Sequence, residues 1–272
     1  PAATWNANST VNIVGYTTGN SPPPSGLNQT FHHFVWNAPG QDLTISLGGL
    51  PTNINGDFRI ESTGIDALYY SLAGAGNTMN IGGNFDINGG TLGWTSGDAA
   101  VSTLNISGNM DISGGSYVQF ADDKNLTINL TGNFVLSGTA QIDFSALTAT
   151  TDLNVQGNYT HSGGDIFVNG GTGNINFTGA SGKVFTSTLV PTGAVNYSVA
   201  SLSTLTLSGS NFVAGGGKFT LNGTLEIGST DPGGALQTGT AAGNLRVSGV
   251  RTYSSNSTIV YNGTAGQFIG NG

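Results

Sequence analysis

The sequence predicts an all-β protein, more narrowly a parallel β-helix, or β-solenoid, with coils of about 25 residues. Three observations support this fold class. A Gly-Asn motif recurs every 24 to 27 residues, apolar and polar residues alternate with a period of two, and the residues that cover helices are scarce. A repeat this short cannot bury its own apolar face, so the units are expected to stack around one continuous core.

The composition leaves few residues for the solvent-facing side of helices. Only 7% of the 272 residues are Asp, Glu, Lys or Arg, whereas a typical globular protein has about 25%. The chain contains two Glu, three Lys and 45 Gly. Ser, Thr and Asn are the abundant polar residues, and they favour strands and turns.

The charge balance argues against nucleic acid as a partner. The net charge is -8, and the six basic residues are too few and too scattered to follow a phosphate backbone. Apolar runs are only a few residues long, so no membrane insertion is expected. The chain has no Cys and only three His, which argues against a metal site. No cofactor is expected, because no phosphate- or dinucleotide-binding motif is present.

The repeat unit consists of an apolar residue, any residue, Gly, Asn or Asp, and a large apolar residue. It occurs at 54–58, 81–85, 106–110, 130–134 and 155–159. In the second unit the apolar side chains of Ile81, Phe85 and Ile87 alternate with small or polar residues, which indicates a strand with one buried face. Gly pairs such as Gly89-Gly90 follow most units and predict turns.

Stacking places equivalent residues of successive coils in columns. A core column is predicted for Phe58, Phe85, Met110, Phe134 and Tyr159. A polar structural ladder, whose amides could bond from coil to coil, is predicted for Asp57, Asn84, Asn109, Asn133 and Asn158. Either the Asn residues stand outward on a strand, or Gly-Asn marks a bend with Asn in the left-handed region. A second interior column ends at His161, which either caps the core or marks a coil that faces solvent.

The chain is expected to form one continuous solenoid in four blocks. Residues 1–50 start the first block and form entry coils, 51–172 form the regular Gly-Asn coils, 173–256 form a second block of looser coils, and 257–272 start a further block. The block starts share the form x-x-apolar-x-apolar-x-Gly, at 9–15, 173–179 and 257–263. Because the last block begins just as the sequence stops, we expect the native chain to continue.

The segments 221–228 and 257–269, together with the Gly-Asn coils, resemble the very large repetitive surface proteins of Bacteroidota-type bacteria. Those proteins are adhesin-like β-solenoids, often exported by the type IX system. Autotransporter and filamentous-haemagglutinin passengers share this style of repeat. The resemblance implies an extracellular location at the cell surface.

We therefore expect a structural or adhesive segment of an extracellular cell-surface fibre or filament, and not an enzyme. The expected partners are neighbouring solenoid segments or identical subunits stacked end to end, with surface polysaccharide as a further partner. The alternative is a carbohydrate-active β-helix enzyme or a carbohydrate-binding module. Such an enzyme needs two carboxyl groups about 5 to 10 Å apart.

The candidates for a surface site lie on neighbouring coils. Arg59, Asp86 and Asp111 are expected to form one vertical column, which is either a site or an exposed charged strip. Trp94 follows a Gly-Gly turn and is predicted to be an exposed aromatic residue that could stack on a sugar. The other candidates for sugar stacking are tyrosines near turns, namely Tyr69, Tyr70 and Tyr117.

Overall fold

The structure is a computed structural model that describes residues 3–17, 23–71, 76–95, 102–237 and 242–272. Every regular element in these ranges is a β-strand. The strands are β1 (Thr10–Ile13), β2 (His33–Asn37), β3 (Ile45–Ser46), β4 (Asn53–Ile54), β5 (Phe58–Ser62), β6 (Ala67–Ser71), β7 (Thr78–Ile81), β8 (Phe85–Ile87), β9 (Thr91–Thr95), β10 (Ser102–Ile106), β11 (Met110–Ile112), β12 (Tyr117–Ala121), β13 (Leu126–Leu130), β14 (Phe134–Leu136), β15 (Gln141–Ser145), β16 (Thr150–Val155), β17 (Tyr159–His161), β18 (Asp165–Phe167), β19 (Thr172–Phe177), β20 (Gly182–Ser187), β21 (Val195–Val199), β22 (Thr204–Leu207), β23 (Val213–Gly215), β24 (Phe219–Leu221), β25 (Thr224–Ile227), β26 (Leu245–Val247), β27 (Arg251–Tyr253) and β28 (Thr258–Tyr261). The described part of the chain thus offers no helix with which to cross a membrane.

Three long parallel sheets run along one axis. In spatial order, sheet A is β1-β2-β5-β8-β11-β14-β17-β20-β22-β25-β28, sheet B is β27-β24-β21-β19-β16-β13-β10-β7-β4, and sheet C is β18-β15-β12-β9-β6-β3. A short fourth sheet pairs β23 with β26. Within each sheet, neighbouring strands come from successive coils, so the chain winds around the axis. The prediction of an all-β parallel β-helix is confirmed, with stacked coils of about 24 residues.

The coil that starts at Ser102 illustrates how the sequence sets this path. Its strands β10, β11 and β12 belong to sheets B, A and C in turn. A bend at Gly108-Asn109 joins the first two strands, and a turn at Gly114 joins the second pair. Gly114 has a φ of 66°, in the left-handed region that favours glycine. Ser102 then pairs with Leu126, 24 positions later, in the next coil.

The predicted core column lies inside the solenoid and extends further at both ends. Its members pair in register along sheet A, and they are Phe34, Phe58, Phe85, Met110, Phe134, Tyr159 and Phe185. Each of them is buried. The ring centroids of Phe58 and Phe85 are 5.5 Å apart, and those of Phe134 and Tyr159 are 4.9 Å apart, both in stacked geometry. Such ring pairs contribute stability beyond the area that they bury.

The second interior column decides between the two placements of His161. Ile112 pairs with Leu136, and Leu136 pairs with His161, whose side chain is buried. The Nε2 atom of His161 lies 3.3 Å from the carbonyl oxygen of Gly164. Burial lowers the pKa of His161, so the neutral imidazole is favoured in the core. The next member of the column is Ser187, so His161 stands where the column changes from aliphatic to polar side chains.

The coils change after β18. Sheet C ends at that strand, and the later coils place β23 and β26 in the separate two-stranded sheet. Asn154 pairs with Asn176, and Gly182 pairs with Thr204, both at offsets of 22 positions. The last coil is longer, because Val213 pairs with Leu245 and Thr224 with Thr258, at offsets of 32 and 34 positions. Coil length is therefore less regular in this part than in the Gly-Asn region. The division of the chain into four blocks stays a prediction.

We predict that Phe85→Ala lowers the free energy of unfolding by about 3–5 kcal/mol, because it opens a cavity between Phe58 and Met110 that rigid neighbouring coils cannot close. Urea denaturation followed by circular dichroism measures this loss. Met110→Leu is the matched control in the same column, and it should cost less than about 1.5 kcal/mol because it conserves volume. Equal losses for the two variants would contradict the column packing.

Candidate functional site

The predicted polar ladder forms at the bend between sheets B and A. The side-chain oxygen of each member accepts the backbone N–H of the member in the next coil, in the order Asp57, Asn84, Asn109, Asn133 and Asn158. The four N···O distances are 2.8 or 2.9 Å. The ladder extends to His33, whose Nδ1 accepts the N–H of Asp57, and to the N–H of Val184. We call this set the bend ladder.

The bend ladder agrees with only part of the second placement that the sequence left open. The Asn residues stand at a bend and not on a strand, as in the second placement. Among the described residues other than glycine, however, positive φ occurs only at Asn8 and Leu202, so the ladder residues are not left-handed. A Cβ at Gly108 would collide with the Asn84 side chain and with the backbone of Gly83. Glycine therefore precedes Asn because the coils approach closely here.

A second ladder, which the sequence analysis missed, runs along the outer face of sheet B. Its members are Asn53, Asn80, Asn105, Asn129, Asn154 and Asn176, followed by Ser198. Each Asn after the first donates its Nδ2–H to the Oδ1 of the Asn before it, over 2.8–3.1 Å. We call this set the amide ladder. The sequence contains its signal, because an Asn stands four residues before the bend-ladder residue in each of the five Gly-Asn units.

The predicted charged column lies on the outer face of sheet A. Arg59 pairs in register with Asp86, and Asp86 with Asp111. The Arg59 guanidinium lies 3.5 Å from the Asp86 carboxylate and 3.6 Å from that of Glu61. The column is therefore an ion pair with a second carboxylate stacked above it.

The two aspartates of this column differ in their partners. Burial raises the pKa of Asp86, the carboxylates of Asp57 and Asp111 raise it further, and Arg59 lowers it. Burial alone raises the pKa of Asp111. The Oδ1 atom of Asp111 is buried and has no hydrogen-bond partner among the described residues. Asp111 is therefore the uncompensated carboxylate of the column.

A surface depression of about 230 Å³ adjoins the charged column. It is lined by Thr10, His33, Val35, Asp57 and Arg59. The Nδ1 atom of His33 lies 3.3 Å from the Asp57 carboxylate. Within the ranges that the structure describes, no three His, Asp or Glu side chains come close enough to hold a metal ion. The Asp57 and Arg59 side chains that line the depression offer charged and hydrogen-bonding groups to a polar ligand.

The prediction that Trp94 is exposed is wrong. Trp94 is fully buried, its ring stacks on Tyr70 at 4.4 Å, and it meets Phe85 edge to face at 6.1 Å. The physical reason is the period of two along β9, which places Trp94 on the same face as the buried Leu92. Trp94 therefore belongs to the core and not to the surface site of Arg59, Asp86 and Asp111.

Aromatic residues instead reach the surface on the outer face of sheet C. They are Tyr69 on β6, Tyr117 on β12 and Phe167 on β18, and we call them the aromatic strip. All three are half-buried, whereas their strand neighbours Leu68, Val118 and Ile166 are fully buried. The strip lies apart from the charged column, because the two occupy different sheets.

Asp143 lies under the aromatic strip. Its carboxylate is buried and accepts hydrogen bonds from the Ser145 N–H at 3.0 Å and from the Asn169 amide at 2.7 Å. Burial raises the pKa of Asp143, and the bonds from Asn169 and Ser145 lower it. Burial and the Asp143 carboxylate together raise the pKa of Tyr117 to about 12.

We predict that the same substitution has different costs in the two ladders. Asn105→Asp replaces an amide donor by a carboxylate that faces the Oδ1 of Asn80, and it should cost about 1–3 kcal/mol of unfolding free energy. Asn133→Asp keeps the oxygen that accepts the Asn158 N–H, and it should change that free energy by less than about 0.5 kcal/mol. Urea denaturation at neutral pH compares the two variants. Similar losses for both would rule out the assigned donor directions.

We predict that Asp111→Asn stabilises the protein at neutral pH. Because burial raises the pKa of Asp111, the folded state holds this proton more tightly than the unfolded state, and stability falls as pH rises through the folded pKa. The variant should melt at a higher temperature than the wild type at pH 7. The gain should vanish below about pH 4, where the carboxyl is protonated in both states. A gain that is independent of pH would show that ionisation is not its cause.

The chain matches no protein-family model, no curated protein and no solved structure with which it was compared. The three long faces of the solenoid differ in chemistry. Sheet A carries the charged column, sheet B the amide ladder and sheet C the aromatic strip.

Proposed function

We propose that this chain is a structural and adhesive segment of an extracellular cell-surface fibre, and that it is not an enzyme. The observation that carries the proposal is the continuity of hydrogen bonding along the axis. Sheet A alone joins eleven strands, which at about 4.8 Å per step makes a rod roughly 50 Å long. The bend ladder and the amide ladder run along the solenoid axis and link the same coils through side-chain hydrogen bonds.

The terminal strands support end-to-end assembly. Among the described strands, β28 pairs only with β25 and β1 only with β2, so each presents an unpaired strand edge. Their inward-facing side chains, such as Val11 and Ile259, are only partly buried, whereas those of the inner coils are fully buried. A head-to-tail contact between unlike ends does not close on itself and therefore makes filaments. A neighbouring segment of a longer chain satisfies the same edges.

The resemblance to Bacteroidota-type surface proteins supports the location that we propose. Few residues of the chain are charged, and Asn, Ser and Thr are its abundant polar residues. Neutral faces also allow coils to stack without repulsion between like charges. The proposed partners are therefore neighbouring solenoid segments or identical subunits.

The second candidate function is a carbohydrate-active enzyme or carbohydrate-binding module. It is favoured by the register of Asp86 and Asp111, since a strand spacing of about 4.8 Å brings two carboxyl groups near the ~5–5.5 Å of a retaining glycosidase. Raised pKa values suit a general acid, and both aspartates have them. Against it, Arg59 already pairs with Asp86. Release of reducing ends from polysaccharide that is lost in both Asp86→Asn and Asp111→Asn would favour this candidate.

We predict that Ile259→Pro abolishes self-association of the isolated chain. The N–H groups of Thr258 and Asn262 point to β25, so that of Ile259 points to the open edge. Proline removes this donor without removing a bond to β25, as is tolerated at sheet edges. Ile259→Ala is the control, because it removes more of the side chain than proline does but keeps the N–H. Analytical ultracentrifugation should show oligomers for the wild type and the Ala variant, and monomers for the Pro variant.

Two outcomes together would overturn the fibre proposal. One is a monodisperse wild-type monomer over a wide concentration range. The other is the absence of any labelled filament when antibodies against this chain are applied to intact cells of its source and viewed by electron microscopy. Labelled filaments on the cell surface would support both the function and the location.

A further inference from the structure

The aromatic strip is unusual in this chain, because most described aromatic side chains pack in or against the core. Tyr69, Tyr117 and Phe167 do not, and they come from three different coils of one sheet. β6, β12 and β18 are each two strands apart in sheet C, so the strip spans four steps, or roughly 20 Å, along the axis. Aromatic rings on an open sheet face leave apolar area in contact with water.

Local geometry places the rings over neighbouring strands of this face. A Cβ at Gly93 would collide with the Tyr69 ring, so glycine at that position lets the ring lie over the neighbouring strand. The Tyr117 ring centroid lies 6.2 Å from that of Phe167, and the buried Asp143 carboxylate is close enough to Tyr117 to raise its pKa. Rings that are already fixed lose little conformational entropy when a ligand stacks on them.

The surroundings of the strip define the ligand chemistry. Flat rings beside carboxylate and amide groups match a sugar ring, which presents apolar C–H faces to aromatic rings and hydroxyl groups to hydrogen-bond acceptors and donors. Gln119 lies in register between Gly93 and Asp143, and Asn169 is exposed at the edge of the strip. These two side chains provide amide groups beside the rings.

The acidic residues around the strip further restrict the class of ligand. Asp66 and Asp122 are close enough to Tyr69 to raise its pKa together with burial, and Asp143 acts in the same way on Tyr117. The field at the strip is therefore negative and disfavours anionic polysaccharides. No such restriction applies to a neutral chain of sugars.

We propose that the aromatic strip of Tyr69, Tyr117 and Phe167 is a binding site for a neutral polysaccharide, which lies along the solenoid axis across sheet C. The proposal deepens the adhesive function above and rests on it, since it gives the fibre a ligand. The rings make the contact, and the buried Asp143 carboxylate lies beside Tyr117. The charged column of Arg59 and Asp86 on sheet A has no part in this site.

Affinity electrophoresis of the whole chain tests the proposal. Native gels contain hydroxyethylcellulose, laminarin, xylan or galactomannan as neutral probes, or polygalacturonate as the anionic probe. We expect at least one neutral polymer to retard the wild-type chain and polygalacturonate to leave it unretarded. Tyr69→Ala should weaken the binding by about three- to tenfold, as expected for loss of one stacked ring. Tyr117→Phe should bind more tightly than Tyr117→Ala, because it keeps the ring.

Tyr253→Ala is the matched control, because Tyr253 is an exposed tyrosine on sheet B, away from the strip. It should bind as the wild type does, and thermal melting of each variant identifies any loss of fold. The site assignment is overturned if no neutral polymer retards the wild type, if only polygalacturonate does, or if folded Tyr69→Ala binds undiminished. These results would leave filament formation untouched, and a failure of filament formation would leave the gel shift untouched, so the two proposals fail separately.

Discussion

Parallel pairing between successive coils places each residue about 4.8 Å from its equivalents above and below, and the rest of the structure follows from this constraint. A side chain mainly meets other copies of its own position. Phenylalanine can stack on phenylalanine, as Phe58 does on Phe85, and asparagine can both donate to and accept from asparagine. A column of like charges would repel itself. The constraint accounts for a chain that is rich in Asn and apolar residues and poor in charge.

The two ladders satisfy this constraint in different ways. In the amide ladder the side chains bond to one another, and the column uses both ends of each amide. In the bend ladder only the oxygen is used, because the donor is the backbone N–H of the next coil. An aspartate can therefore occupy the bend ladder, and Asp57 does so. The bend-ladder position of the motif can therefore hold Asp, whereas a position in the amide ladder needs the amide donor of Asn.

Functional candidates lie where columns depart from repetition. The charged column places Asp111 above Asp86, and only the Arg59 ion pair below offsets the repulsion. The aromatic strip places three rings on the outer face of sheet C, where they do not pack in the core. Residues that depart from the stacking pattern are the best candidates for a binding function. The three faces of the solenoid therefore offer different chemistry: an ion pair, a neutral amide array and a row of rings.

The sequence by itself determined the fold class, the coil length and the core column, because a period of two and a period of about 25 are both visible in one dimension. It also placed Arg59, Asp86 and Asp111 in one column, since this requires only the offset between units. It could not give the direction of the hydrogen bonds at Asn133 or the burial of Asp143. Those depend on how far a bend turns and on which side chains of the adjacent coils cover the carboxylate. The sequence misleads at Trp94, because the nearby Gly-Gly turn suggests exposure, whereas alternation with Leu92 places the side chain in the core. Only the tertiary structure brought Tyr69, Tyr117 and Phe167 to one face, because they occupy two different positions of the coil and meet only where the coils stack.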